Sequence, residues 1–258
     1  MKQKILSIWV WGAAVTVIVS WTGVVGGVRL LTFPIDPRRR LTSRVFHWGS
    51  HLVAWAHPYW HHRITGKLPH DVNQGYVVVC NHESHADSVL INHLPLDARW
   101  LAKKEIMDIP FLGWMMRMAG DISVKRGDQD SGRHAMEQMA EYLRQGVSVF
   151  LFPEGTRSTT GELGAFKSGA FKLAIETQRP ILPMVLTGCG EALPKGGWVL
   201  GGAESHARLH IMEPIPTQGL TLDDVEKLRD EVREKMIAAR RALMAEQPEP
   251  AGAVTQAA

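Results

Sequence analysis

Acidic residues are almost missing from one end of this chain. Asp36 is the only Asp or Glu in residues 1–70, against nine Lys and Arg. From Ile5 to Val28, a run of 24 residues, charge of either sign is missing altogether. Cysteine is scarce as well. Cys80 and Cys189 are the only two, and no C-x-x-C pair occurs. A disulfide framework is therefore excluded, and a cysteine-based zinc site is disfavoured. No internal repeat is visible, which argues against a solenoid or propeller. What remains is uneven. Residues 1–70 carry a net +8, and the rest carries 20 Lys and Arg against 25 acids, a net −5. Six of the nine Trp fall in the first 60 positions. A basic, Trp-rich end joined to a mildly acidic body points to a membrane surface and away from nucleic acid. The 258 residues suit one α/β domain plus an appendage, with enough chain to bury a core unaided.

The uncharged run predicts an apolar helix over about residues 5–31. At ~1.5 Å per residue its 24 uncharged positions reach about 36 Å, enough for a hydrocarbon core of roughly 30 Å. Trp9, Trp11 and Trp21 lie toward its ends, where indole favours the interface. Arg38, Arg39, Arg40 and Arg44 outweigh Lys2 and Lys4, so the positive-inside rule puts the body on the cytoplasmic side. A secretory signal peptide is the competing reading, but the run is long for one and no small-x-small cleavage site follows. A second helix is expected over about 40–57. Val45, Trp48, Leu52, Trp55 and Tyr59 mark its apolar face, with Arg44, His47 and His51 on the other flank. His47 and His51 stand four apart and admit a shared metal. No acid lies nearby, so interfacial histidines among aromatic anchors are the simpler reading. The two helices either cross the bilayer or dip into one leaflet as a hairpin.

After Lys67 short β-rich runs alternate with helical periodicity. Strands are expected at Tyr76–Cys80, Asp121–Lys125, Val147–Phe152, Ile181–Leu186 and Arg208–Met212. Helices are expected near Asp87–His93, Lys103–Met118, Ser131–Arg144, Ser168–Thr177 and Leu222–Met244. The last has Thr221 to cap it and an apolar stripe of Val225, Leu228, Val232, Met236, Ala239 and Leu243; Arg240 and Arg241 suit its negative C-terminal end. The fold class is therefore α/β, a mixed and mostly parallel sheet flanked by helices, with an N-terminal membrane-embedded helical segment. The domain organisation expected is an anchor over 1–64, an α/β domain over 65–246 and a Pro/Ala/Gln-rich disordered tail over 247–258.

The chemistry concentrates where strands end. Val77-Val78-Val79-Cys80 runs straight into Asn81-His82-Glu83-Ser84-His85-Ala86-Asp87. If a helix begins near Ser84 or His85, Asp87 returns to one ring nitrogen of His82, and the other nitrogen serves as a general base. A helix-capping Asp beside an inert His is the competing reading of that spacing. A second cluster, Phe152-Pro153-Glu154-Gly155-Thr156-Arg157, follows another strand. Gly155 permits a tight turn, Thr156 offers a hydroxyl, and the Arg157 fork matches phosphate oxygens. Lys103 and Arg126 add cations at element ends.

These residues resemble the glycerolipid acyltransferase family, whose bacterial members include 1-acylglycerol-3-phosphate acyltransferase. N-H-x-S-x-x-D is matched by Asn81, His82, Ser84 and Asp87. The glycine-to-arginine strand runs from Gly120 through Ile122 and Val124 to Arg126. F-P-E-G-T-R is matched from Phe152 to Arg157, and the apolar strand with proline by Ile181-Leu182-Pro183-Met184-Val185. All four stand in the family's order over about residues 65–215. Glu83, where Gln or Arg is common, and Lys125, where Asp or Arg is common, depart from the pattern. The resemblance implies acyl transfer from acyl-CoA or acyl-carrier protein to the free hydroxyl of a lysophospholipid. Lysophosphatidic acid is the default acceptor and phosphatidic acid the product. His82 would be the base and Asp87 its orienter. Arg157, Lys103 and Arg126 would hold the phosphate, with Gly155 and Thr156 shaping the loop and Glu154 positioning Arg157 or binding substrate. Lys167 is a further cation candidate. No cofactor and no metal are implied, the partners are membrane lipid and the two substrates, and the location is a bacterial-type inner membrane. Alternatives are another acceptor such as a lyso-aminolipid, or a metal-dependent lipid hydrolase using His82, His85 and Asp87. The H-x-x-H-x-D spacing fits the hydrolase poorly. An acyl-enzyme on Ser84 and a non-catalytic lipid-binding protein are further readings.

Overall fold

The computed structural model describes residues 2–158, 161–193, 197–200 and 205–246. The expected tail, 247–258, lies outside the described residues. Among the described residues seven strands form one sheet: β1 Trp60–Thr65, β2 Val77–Cys80, β3 Ala98–Lys103, β4 Ile122–Val124, β5 Ser148–Leu151, β6 Ile181–Thr187 and β7 Ser205–Ile211. Their spatial order is β1-β7-β6-β2-β5-β3-β4, parallel at every pairing except β6 with β7. The mixed, mostly parallel sheet read from the alternation is thus present.

β2 shows why the sheet forms where it does. Its Val-Val-Val-Cys run is β-branched and wholly buried, as a strand covered on both faces requires. Alternation sends Val77 and Val79 into one core and Tyr76, Val78 and Cys80 into the other. The first core is closed by α6 (Gln129–Arg144), α7 (Gly169–Thr177) and α9 (Val225–Ala245), through Met139, Leu143, Phe171, Val232 and Met236. The second is closed by α3 (Ala86–Ile91), by α8 (Cys189–Ala192) and by Trp100 with Phe150.

Two strands escape the sequence pattern. β1 is a half-buried edge strand whose two histidines and arginine mask any alternation. In β3 the charge of Arg99 hides a buried strand. Its guanidinium, fully enclosed, donates to Ser43 Oγ at 2.9 Å, Arg38 O at 2.7 Å and Asp97 Oδ1 at 2.6 Å. The single helix expected over Lys103–Met118 is instead the end of β3 followed by α4 (Lys104–Met107) and α5 (Leu112–Ala119). Pro110 and the left-handed Phe111 (φ 64°) interrupt it, because proline offers no N–H to a continuing helix.

At the N-terminus α1 spans Lys2–Thr32 and α2 spans Arg40–Trp55. Asp36 joins them by accepting the Arg40 and Leu41 N–H groups, each at 2.8 Å. α1 is long and apolar enough to cross a membrane, and little of its apolar window is buried inside the protein. α2 turns Thr42, Ser43, His47, Gly49 and Ala54 inward and leaves Leu41, Trp48 and Trp55 outside. The expected interfacial His47 is therefore buried against the body, and the tryptophans face outward. An outward apolar face of this kind marks a surface made to meet another apolar medium or partner. Trp21 of α1 stacks on Trp48 and donates to Val45 O at 2.9 Å, and Gly49 leaves the room its indole needs. Near the other end of α1, Leu200 N–H donates to Ser7 Oγ at 2.9 Å and Trp11 Nε1 donates to Trp198 O at 2.7 Å.

Candidate active site

Because β2 to β6 are mutually parallel, their carboxyl ends share one edge of the sheet, where α/β folds place ligands. Along that edge stand, in order, the end of β6, the Asn81–His82 turn after β2, the Phe152–Arg157 loop after β5, Lys103 closing β3, and Arg126 just past β4. Segments far apart in sequence thus meet through strand order.

The turn after β2 is tightly specified. Asn81 pairs both its amide atoms with the backbone of Leu186 in β6, at 3.0 and 2.8 Å. His82 Nδ1 lies 2.7 Å from Asp87 Oδ2, and the same oxygen accepts the N–H groups of Glu83 (2.8 Å) and Ser84 (3.0 Å). Asp87 is fully buried at the start of α3, and the His82 side chain is 15% exposed. The carboxylate engages Nδ1 and leaves Nε2 as the ring nitrogen not bonded to it. The ring lies flat on Phe152, with centroids 3.8 Å apart and planes 12° apart. Ser84 is buried, with its hydroxyl donating to Leu193 O at 2.7 Å and accepting from Ala86 N–H at 3.1 Å. That hydroxyl is occupied by the fold, which disfavours an acyl-enzyme on Ser84.

The second loop grips the first. Glu154 accepts His82 N–H at 3.0 Å and Gly164 N–H at 2.9 Å, and Ser158 N–H donates to His82 O at 2.7 Å. Both peptide groups of His82 are thereby held by the loop that carries Arg157. Gly155 is left-handed (φ 68°), and a Cβ there would meet Lys167 Cε and Nζ at 2.9 Å. Lys167 passes under that turn, its N–H donating to Pro153 O at 2.9 Å. Thr156 is exposed and Arg157 half-buried. Burial holds His85 below the usual imidazole range, with the positive charge of Arg157 and the neighbouring His82 adding to it. On the far side Lys103 Nζ pairs with Glu105 at 3.3 Å. Backbone hydrogen bonding, then Lys103 and Arg126, keep the exposed Glu105 carboxyl low. Pro183 is buried inside β6, opposite Val79. Among the described residues no group of three or more His, Cys, Asp or Glu is placed to hold a metal ion.

Sequence reasoning missed Phe152 and Arg240 as contributors, and named Glu154 without its contacts to the His82 turn. Phe152, read only as the first letter of a motif, is the platform for His82. Glu154 spends its carboxylate on backbone N–H groups of the His82 turn and of Gly164. Arg240 reaches the site from α9: its Nη2 lies 2.7 Å from Glu83 Oε1. A signal for the last was present, since Arg240 stands four residues beyond Met236 on the apolar stripe Leu228–Val232–Met236, which is its inward face.

The family model described as Acyltransferase matches residues 61–187. A chloroplastic 1-acyl-sn-glycerol-3-phosphate acyltransferase of Arabidopsis thaliana is 34% identical over 222 residues, 83% of this chain and 59% of that protein. The human 1-acyl-sn-glycerol-3-phosphate acyltransferase alpha is 36% identical over 167 residues, 64% of this chain and 58% of that one. The chain thus spans less than two thirds of these relatives. The crystal structure of the 1-acyl-sn-glycerophosphate (LPA) acyltransferase PlsC from Thermotoga maritima is similar with a TM-score of 0.82 at 26% identity, over 96% of this chain and 98% of that one. The four ordered motifs, the sheet and these likenesses agree: over residues 61–187 the chain carries a domain of the acyltransferase family.

Proposed function

We propose that this chain transfers a fatty acyl group from acyl-CoA or acyl-carrier protein to the free hydroxyl of 1-acylglycerol-3-phosphate, giving phosphatidic acid. The observation that carries the reading is the His82–Asp87 pair on the same sheet edge as Arg157, Lys103 and Arg126. His82 Nε2 takes the hydroxyl proton while the acceptor oxygen attacks the thioester carbonyl. The new C–O bond forms and the C–S bond breaks. The departing thiolate recovers the proton from His82, leaving free thiol. Asp87 holds the tautomer and balances the transient imidazolium, and a positioned base of this kind contributes about 10²–10⁴ in rate. The Arg157 fork takes the acceptor phosphate, with Lys103 and Arg126 as further cations. Gly155 lets the loop backbone turn sharply beneath it, over Lys167. Every step is met by side chains, so no cofactor is invoked.

The helices α1 and α2 associate the chain with a membrane. Both ends of α1 contact the rest of the protein: Ser7 and Trp11 meet Leu200 and Trp198 at one end, and toward the other the helix packs on α5, with Gly26 beside Met118. That arrangement favours lying in one leaflet, over a bacterial-type inner membrane with the catalytic edge on the cytoplasmic side, where the cationic flank Arg38–Arg40 and Arg44 belongs. The domain organisation follows: an anchor of two helices, then the α/β domain, whose sheet begins at Trp60.

The test is a panel of lysolipid acceptors with each thioester donor, using the full chain on anionic vesicles. Product from lysophosphatidic acid, and little from acceptors lacking a phosphate monoester, is expected. Turnover confined to a lyso-aminolipid, or thioester hydrolysis alone, would overturn the acceptor assignment.

A further inference from the structure

Glu83 follows His82 directly and departs from the residue types common at its position in the family. Its N–H helps to hold Asp87 Oδ2, at 2.8 Å. Its side chain runs the other way, to α9. Oε1 pairs with Arg240 Nη2 at 2.7 Å, and Oε2 lies 3.4 Å from the N–H of Gly190. The pair is enclosed, with side chains 10% and 11% exposed. Arg240 Nε lies 3.4 Å from Leu186 O, the carbonyl that also accepts from Asn81. One guanidinium therefore touches both residues that flank His82, Glu83 directly and Asn81 through Leu186.

Stability does not account for this arrangement. A buried ion pair is often no better than apolar residues of the same volume, and the stripe of α9 is otherwise apolar. We propose that Arg240 is a positioning residue for His82, acting through Glu83, so that the C-terminal helix sets the geometry of the proton-transfer pair. Burial raises the Glu83 carboxyl, and Arg240 opposes that rise at close range. Without Arg240 the carboxylate is left enclosed and uncompensated. It then takes up a proton or swings out, and the peptide that donates to Asp87 moves with it. Displacement of about 1 Å at such a site costs on the order of 10²-fold in rate.

The kinetic arm of this proposal rests on the acyl-transfer reading; a second arm does not. The full chain on vesicles is compared as wild type, Arg240→Met, Glu83→Gln and the double variant, with melting temperatures measured alongside. Arg240→Met is expected to lower kcat by about 10-fold to 10²-fold with the acceptor KM within about twofold. It is also expected to speed amide exchange in peptides covering 82–87. Adding Glu83→Gln, which removes the stranded charge, is expected to recover most of kcat and restore the exchange protection. A role confined to docking α9 would lower the melting temperature without that rescue. Wild-type kcat and exchange in Arg240→Met, or a loss that Glu83→Gln leaves unrelieved, would overturn the proposal. Absence of acyl transfer by the wild type would instead remove the functional reading, while the exchange data still decide the linkage.

Discussion

Asp121 shows how a single buried carboxyl ties stability to pH. It is enclosed beneath β3, where Oδ1 accepts Trp100 N–H at 2.9 Å and Oδ2 has no partner. Burial pushes its pKa up to about 7, against the opposing hydrogen bond from Trp100 and the charge of Arg99. A carboxyl raised in the folded state contributes stability that is fully present below the unfolded pKa of about 3.8 and is lost as pH rises through about 7. Wild-type melting temperature should therefore fall between pH 5 and pH 8.5. Asp121→Asn keeps an acceptor for Trp100 and carries no charge, so its decline should be smaller, with a gain of about 1–3 kcal/mol at pH 8.5. Parallel declines in thermal melts of the two proteins would refute this. At the same scale, the sequence made His82, Asp87 and Arg157 visible because their chemistry is local to short motifs. Glu154, Phe152 and Arg240 were less visible because their partners lie 72, 70 and 157 positions away. Only strand order brings them to His82 and Glu83.

Elements with uniform chemistry were the easiest to read. The apolar α1, the all-valine core of β2 and the stripe of α9 each follow one period, and each forms close to its expected bounds. Those that failed mix chemistries: β1 with its histidines, β3 with a buried arginine, and the α4–α5 pair broken at Pro110. Crossing or dipping is decided at the element scale too, and contacts at both ends of α1 bear on it. Lys4 and Phe33 stand at the two ends of α1 and are exposed, whereas Cys80 and Cys189 are buried. In sealed vesicles an impermeant maleimide should label Lys4→Cys and Phe33→Cys from the same side. Labelling from opposite sides would mean that α1 crosses the bilayer.

For the whole molecule, the charge imbalance of the sequence becomes a division of labour. On the proposed reading the cationic, Trp-rich end lies against lipid through α1 and α2. The net-negative body keeps its few decisive cations on one sheet edge, beside a histidine held from three sides by Asp87, Glu154 and Phe152. The account stands on His82 acting as the base for an acceptor delivered from that membrane. The most direct measurement is acyl transfer from thioester to lysophosphatidic acid on vesicles by the wild type and by His82→Ala, each checked for folding by its melting temperature. The account predicts a folded variant whose kcat falls by about 10²–10⁴. A folded His82→Ala that retains more than about a tenth of wild-type kcat would contradict it.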